Sequence, residues 1–254
     1  MCARESDRSP LTPLRPLSEA SPHPSPLKLG LLGGSFNPIH NGHLTIARLV
    51  HHKLRLDRML FIPTGDPPHK QAGALALAKD RYEMVRLALT GAPAFDLTDI
   101  EIRRMGKSYS IDTIRELEQQ YGPSTELYFL IGLDAFLDLP NWKEPMALLR
   151  ACRFVVVPRP GQSFQSLAHM PMLPALDSQA LAQLDTGALP QLDIALPACR
   201  GIICLPIPPC SISASDIRQR IRQGTMPVNM LPLPVESYIL QHRLYQEGCD
   251  RTNI

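Results

Sequence analysis

A short apolar run, Leu29-Gly30-Leu31-Leu32, leads directly into Gly33-Gly34-Ser35-Phe36-Asn37-Pro38-Ile39-His40-Asn41-Gly42-His43, and this junction restricts the fold more than any other stretch of the chain. The apolar run reads as a strand. Gly33 and Gly34 allow φ > 0 and a close approach of backbone to a ligand, Pro38 cannot extend a strand, and Leu44, Ala47 and Val50 begin a helical rhythm just beyond. A helix is therefore expected to start near Gly42 or His43. Its unpaired N–H groups and dipole form an anion site, to which His40 and His43 add two imidazole donors. A strand, a phosphate cradle and a helix in this order point to an α/β protein that handles a triphosphate.

Other glycine motifs do not fit. Ser35 and Asn37 break both the dinucleotide fingerprint G-x-G-x-x-G and the serine-hydrolase elbow G-x-S-x-G. A Walker A reading of Gly106-Lys107-Ser108 would need its first glycine where Glu101 stands. A zinc site from His40, His43, His51 and His52 is the competing reading of the histidines, but no Cys, Asp or Glu lies near enough in sequence to complete a tetrahedral set. Simple capping and packing of the two histidines is the other alternative.

From Lys28 onward, short apolar runs alternate with amphipathic segments, the pattern of a parallel sheet flanked by helices. Strands are expected at Leu29–Leu32, Met59–Ile62, Phe95–Ile102, Leu127–Ile131, Phe154–Val157 and Ile202–Leu205. Helices are expected at His43–Leu54, Asp80–Leu89, Ile111–Gln120, Ser178–Leu184 and Val235–Leu244. Asp112 sits in a first helical turn, where the dipole favours an acid. Asp134 follows the central strand, at the carboxyl end where ligands of open sheets bind. Trp142, behind a Pro-Asn turn, is expected at a rim. Ser213 and Asp216 have capping-box spacing, so a further helix should start at Ser213, offering N–H groups and the Ser213 and Ser215 hydroxyls to an anion one turn before Arg218. Residues 162–199 yield little.

The first 26 residues carry six prolines among Ser and Arg. They lack the apolar content to offset ordering entropy, so 1–26 is expected to be a disordered extension, 27–246 a single domain and 247–254 a flexible tail. A net charge of +2 gives no basic signature of nucleic-acid binding. The absence of an apolar stretch of membrane-spanning length, and six cysteines without a C-x-x-C pair, fit a cytoplasmic protein with free thiols.

The stretch from Gly33 to His43 resembles the nucleotidylyltransferase signature Gly-Gly-Thr-Phe-Asp-Pro-x-His-x-Gly-His. Further along stand Pro67-Pro68-His69-Lys70, Ser108-Tyr109-Ser110-Ile111-Asp112-Thr113, Ile131-Gly132-Leu133-Asp134, Trp142, Arg159-Pro160-Gly161 and Ile212-Ser213-Ala214-Ser215-Asp216-Ile217-Arg218. Together this ordered set, from about Lys28 to Tyr245, resembles the bacterial nicotinate-nucleotide adenylyltransferases. Ser35 replaces the usual Thr, Asn37 the usual Asp and Lys143 a usual Tyr.

The resemblance implies a Rossmann-like doubly wound parallel sheet and transfer of an adenylyl group from ATP, with Mg²⁺, to nicotinate mononucleotide. It implies His40, His43 and Arg218 as catalytic stabilisers. ATP would also meet Gly33, Gly34, Ser35, Phe36, Gly42, Ile212, Ser213 and Ser215. Asn37, Lys70, Ser110, Asp134, Trp142 and Lys143 would meet the mononucleotide. Adenylyltransferases for phosphopantetheine or nicotinamide mononucleotide share the first motif, and the Ser108–Thr113 stretch with Trp142 argues against them. A nucleotide-binding module without turnover is the reading from another class.

Overall fold

The computed structural model describes residues 26–67, 75–208 and 210–246. The expected disordered extension and C-terminal tail, and Lys70, lie outside or almost wholly outside these residues.

The chain runs β1 (Lys28–Gly34), α1 (Asn41–Leu54), β2 (Arg58–Pro63), α2 (Ala78–Ala88), β3 (Phe95–Leu97), α3 (Ile100–Arg103), α4 (Ser110–Tyr121), β4 (Glu126–Gly132), α5 (Leu133–Leu137), α6 (Pro145–Ala151), β5 (Arg153–Val157), α7 (Ser178–Thr186), β6 (Leu192–Ile194), β7 (Ile202–Cys204), α8 (Ala214–Arg222) and α9 (Leu233–Gln241). Short 3₁₀ turns occupy Leu139–Asn141 and Phe164–His169. The strands form one seven-stranded sheet in the order β3-β2-β1-β4-β5-β7-β6. All neighbours are parallel except β6, which runs antiparallel to β7.

The two-residue side-chain period of each strand sorts the core onto two faces. Leu29, Leu31, Leu60, Ile62, Leu127, Phe129, Ile131, Phe154 and Val156 point to one face, under α4, α5, α6 and α7. Met59, Phe61, Tyr128, Leu130, Val155 and Ile203 point to the other, under α1, α2, α8 and α9. Helices on both faces of a mainly parallel sheet make the doubly wound architecture that the sequence pattern implied. The order reverses between β1 and β4, and that switch point opens a crevice at the carboxyl ends of these two strands.

One expectation changes. The segment Phe95–Ile102 is strand only to Leu97; Ile100–Arg103 is then a helical turn in which Ile100 and Glu101 are buried. The alternation of Phe95, Leu97, Ile100 and Ile102 imitates a strand, but Glu101 accepts a hydrogen bond from the Thr113 hydroxyl at 2.8 Å, which a continued strand would not present. Ile202–Cys204 is the last strand in the chain, as expected, and on this side the sheet ends in β6, a strand for which 162–199 gave no sign.

Candidate active site

Strand β1 ends in a loop that is bound on several sides. Gly33 and Gly34 remain in strand conformation, and the left-handed residue is Phe36, at φ 42. A bulky residue in that region is strained. Its ring is buried and meets His43 edge-on at 5.2 Å. A methyl group at Gly33 would meet nothing within 4 Å, so this backbone is open to a ligand, whereas one at Gly42 would lie 2.9 Å from both Cys210 Sγ and His40 Nδ1.

Helix α1 starts one residue earlier than expected, with His40 as its N-cap. The His40 N–H donates to His43 Nδ1 at 3.2 Å, and the two rings lie 3.7 Å apart. Because Nδ1 of His43 is an acceptor, its proton resides on Nε2. Burial, and after it the positive field of Arg159, lowers the His40 pKa to about 4. Burial, then His40 and then Arg159, hold His43 well below the ordinary histidine range. Both rings are therefore neutral at physiological pH and serve as hydrogen-bond donors rather than fixed cations.

Arg218, from α8, donates through Nη1 to the Asn37 carbonyl at 2.7 Å and pairs with no carboxylate among the described residues. Its remaining donors stay available beside the α1 amino terminus. Helix α8 begins at the Ser213 N-cap, whose Oγ accepts from the Asp216 N–H at 3.1 Å. Only this half of the expected capping box forms. The Asp216 carboxylate turns forward to Arg220 at 3.0 Å. Ser213 and Ser215 stand with hydroxyls 3.2 Å apart on the exposed first turn, and Ile212 packs beneath them.

The other candidate residues divide. Asp134, in the first turn of α5, pairs with Arg159 at 3.2 Å across Gly132. Trp142 is half-buried, edge-on to Phe129 at 6.4 Å. It is both a rim residue and a packing one. Ser110 opens α4, and no side chain caps that helix. Lys143 reaches back to the same helix start, donating to both oxygens of Asp112 at 2.9 and 3.1 Å, with Nζ 4.7 Å from the Tyr109 ring centroid. Its charge is thus matched by an acid. Asn37 is 2% exposed, and its Oδ1 accepts from the Ala76 N–H at 3.0 Å and the Tyr245 hydroxyl at 2.8 Å. That side chain is engaged with the protein itself.

Two residues stand out to which the sequence reading gave no role in the site. Arg81 is buried to 2% exposure and donates to the carbonyls of Ser35, Ala76 and Gly65 at 2.9, 3.0 and 3.3 Å. It ties the β1–α1 loop to the β2–α2 loop. An arginine on an amphipathic helix carries no sign of this, because its partners are backbone carbonyls of two separate loops. Arg159 had a signal, an Arg-Pro-Gly turn directly after a strand, but only the fold brings it within electrostatic reach of both histidines.

A neutral histidine pair thus stands at the α1 amino terminus, Arg218, which pairs with no carboxylate among the described residues, bonds the loop before it, and α8 starts beyond β7. The sequence profile of the cytidylyltransferase-like family matches residues 31–220. A Geotalea daltonii protein named probable nicotinate-nucleotide adenylyltransferase is 40% identical over 222 residues, covering 87% of this chain and 100% of the relative. One of the same name from Synechococcus sp. (strain JA-3-3Ab) is 39% identical, covering 88% and 97%. The chain belongs to the nicotinate-nucleotide adenylyltransferase family. In fold it is similar to Plasmodium falciparum nicotinic acid mononucleotide adenylyltransferase complexed with NaAD, with a TM-score of 0.62 at 17% identity over 86% of this chain and 97% of the other.

Proposed function

We propose that the chain transfers the adenylyl group of ATP to nicotinate mononucleotide, giving deamido-NAD and pyrophosphate, with His40, His43 and Arg218 as the stabilising groups. A phosphate monoester has its second pKa near 6, so the attacking oxygen is already an anion and no general base is needed. That oxygen forms a bond to the α-phosphorus as the bond to the β-phosphate oxygen breaks, and the electron pair leaves with pyrophosphate. The protein's work is to hold two anions in line and to meet the charge that develops. The observation that carries this reading is the pair of neutral imidazoles at the α1 amino terminus, 3.7 Å apart, with His43 Nδ1 taken by the His40 N–H so that its donor is Nε2–H. Arg218 supplies the positive charge, and the amide groups of α1 and α8 are fixed donors that need no reorganisation.

Mg²⁺ enters on ATP. Among the described residues no group of three or more His, Cys, Asp or Glu side chains could hold a metal ion. An octahedral ion that keeps phosphate oxygens and water as ligands needs no such cage; it would offset the charge of the leaving pyrophosphate. No helix among the described residues is long and apolar enough to cross a membrane, and a cytoplasmic site of action fits the free thiols of Cys152, Cys199, Cys204 and Cys210.

Nicotinate differs from nicotinamide by a carboxylate in place of an amide. The start of α4 at Ser110, which no side chain caps, offers N–H donors to it, and the family resemblance adds the backbone N–H groups around Lys143, next to Trp142 in the chain. An amide would aim its own N–H₂ at them and leave buried donors unpaired, at about 1–3 kcal/mol each. Parallel kinetics with the two mononucleotides should therefore give a preference of roughly 10² or more in kcat/KM for the nicotinate form. Equal values would move the chain to the nicotinamide-accepting class.

A further inference from the structure

We infer that Tyr245 is a positioning residue for adenylyl transfer, acting on Arg218 through Asn37; the inference rests on the role given to Arg218 above. Asn37 is the junction of four separate parts of the chain. Its backbone carbonyl accepts Arg218 Nη1 at 2.7 Å, and its side-chain Oδ1 accepts the Ala76 N–H at 3.0 Å and the Tyr245 hydroxyl at 2.8 Å. The peptide that aims the Arg218 guanidinium is therefore held from its side-chain end by Tyr245.

The tie is built rather than incidental. Leu244 is buried in the core under α9, and Tyr245 takes a left-handed backbone conformation at φ 64. A tyrosine adopts that conformation only where its surroundings over-determine it. Burial pushes its phenol well above the ordinary range, so the group remains a neutral donor at any working pH. Asn37 has little choice of partner, since its side chain is closed off from solvent. Without the tyrosine donor, one side-chain restraint on Asn37 is lost, and the carbonyl that orients Arg218 gains freedom at the point where the phosphates bind.

A second tyrosine of the same segment provides an internal control. Tyr238, on α9, donates to Asp80 Oδ1 on α2 at 2.9 Å. That bond fastens the C-terminal helix to the body of the protein without touching Asn37.

The test compares full-length wild type with Y245F, Y238F, R218A and the double variant R218A/Y245F, by steady-state pyrophosphate release with Mg·ATP and nicotinate mononucleotide and by thermal unfolding. Y245F keeps the ring packing and removes only the hydroxyl. It should lower kcat roughly tenfold while KM for ATP stays within about threefold, because the loss falls on orientation in the transition state. Y238F should lower the melting temperature at least as much, with kcat within about twofold of wild type. In the R218A background the Y245F change should cost less than about twofold, since groups acting through one another are not additive. A wild-type kcat in Y245F beside an impaired R218A overturns the inference alone. The same loss of kcat in both backgrounds, or an equal loss in Y238F, also overturns it by assigning the effect to general stability. An unimpaired R218A would overturn the catalytic role of Arg218 and, with it, this inference.

Discussion

The two helix starts proposed as the phosphate site are built in opposite ways. The α1 start is internal: His40 is 6% exposed, the preceding Phe36 is strained and buried, and the loop from Ser35 to Asn37 is fastened by Arg81, Arg218 and Tyr245. The α8 start is external, with Ser213 and Ser215 in solvent and one side-chain cap holding the first turn. A charge that exists only in the transition state needs donors that do not move, which suits α1. Ground-state phosphate can be met by side-chain hydroxyls that rotate onto it, which suits Ser213 and Ser215 beside the fixed amides of α8. The contrast assigns turnover chiefly to the first and affinity chiefly to the second.

Substitution at the rigid start should have the largest consequence. His43→Ala should reduce kcat by about 10² or more with a smaller effect on KM for ATP. A change confined to KM would erase the distinction between the two helix starts.

Acid should come next. The folded pKa of His40, about 4, lies below its unfolded value of 6.5. Between these values the unfolded chain binds a proton that the folded chain refuses, so stability is full above pH 6.5 and falls as the pH drops toward 4. From pH 7 to pH 5 the loss from this residue is roughly 2 kcal/mol. Urea unfolding of wild type and His40→Gln at the two pH values should show wild type losing more, by about that amount. Identical pH dependence would mean that the α1 start is no more closed than α8.

The exposed start should respond least. Ser213→Ala removes a single cap, worth about 1 kcal/mol locally, and should raise KM for ATP by less than about tenfold with kcat nearly unchanged. A fall in kcat comparable to that of His43→Ala would make α8 an equal partner in the chemical step.

The sequence exposed what is local. Strand and helix periods placed β1, α1, β2, α4, β4, β5 and α8 within a residue or two, because each carries a continuous apolar run or a regular buried stripe. Three-residue β6 has Asp193 exposed between Leu192 and Ile194 and exists as a strand only because β7 pairs with it. No local pattern reports that. The first-motif residues were likewise legible as a strand end, a turn and a helix start carrying two histidines, since glycine, proline and paired histidines follow one another there. Their supports were not. Asn37 reads as a loop residue with a turn-forming carbonyl, and only the fold shows its side chain closed off beneath Tyr245 and Ala76. Arg81 and Arg159 act on the site from α2 and from the end of β5, and neither spacing nor periodicity connects them to it.

The ties between distant segments also bear on the order in which the protein is made. All seven strands are present in the nascent chain once Cys204 has been added. Arg218, however, comes later, as does Met230, whose carbonyl accepts the Asn41 N–H at the start of α1 at 2.8 Å, and so does Tyr245. A chain still emerging from the ribosome, folding from its N-terminal end, can thus complete its sheet while its anion site lacks the guanidinium and both restraints on the α1 start. Capacity to turn over ATP would arrive abruptly, late in synthesis, rather than growing with the length of the chain.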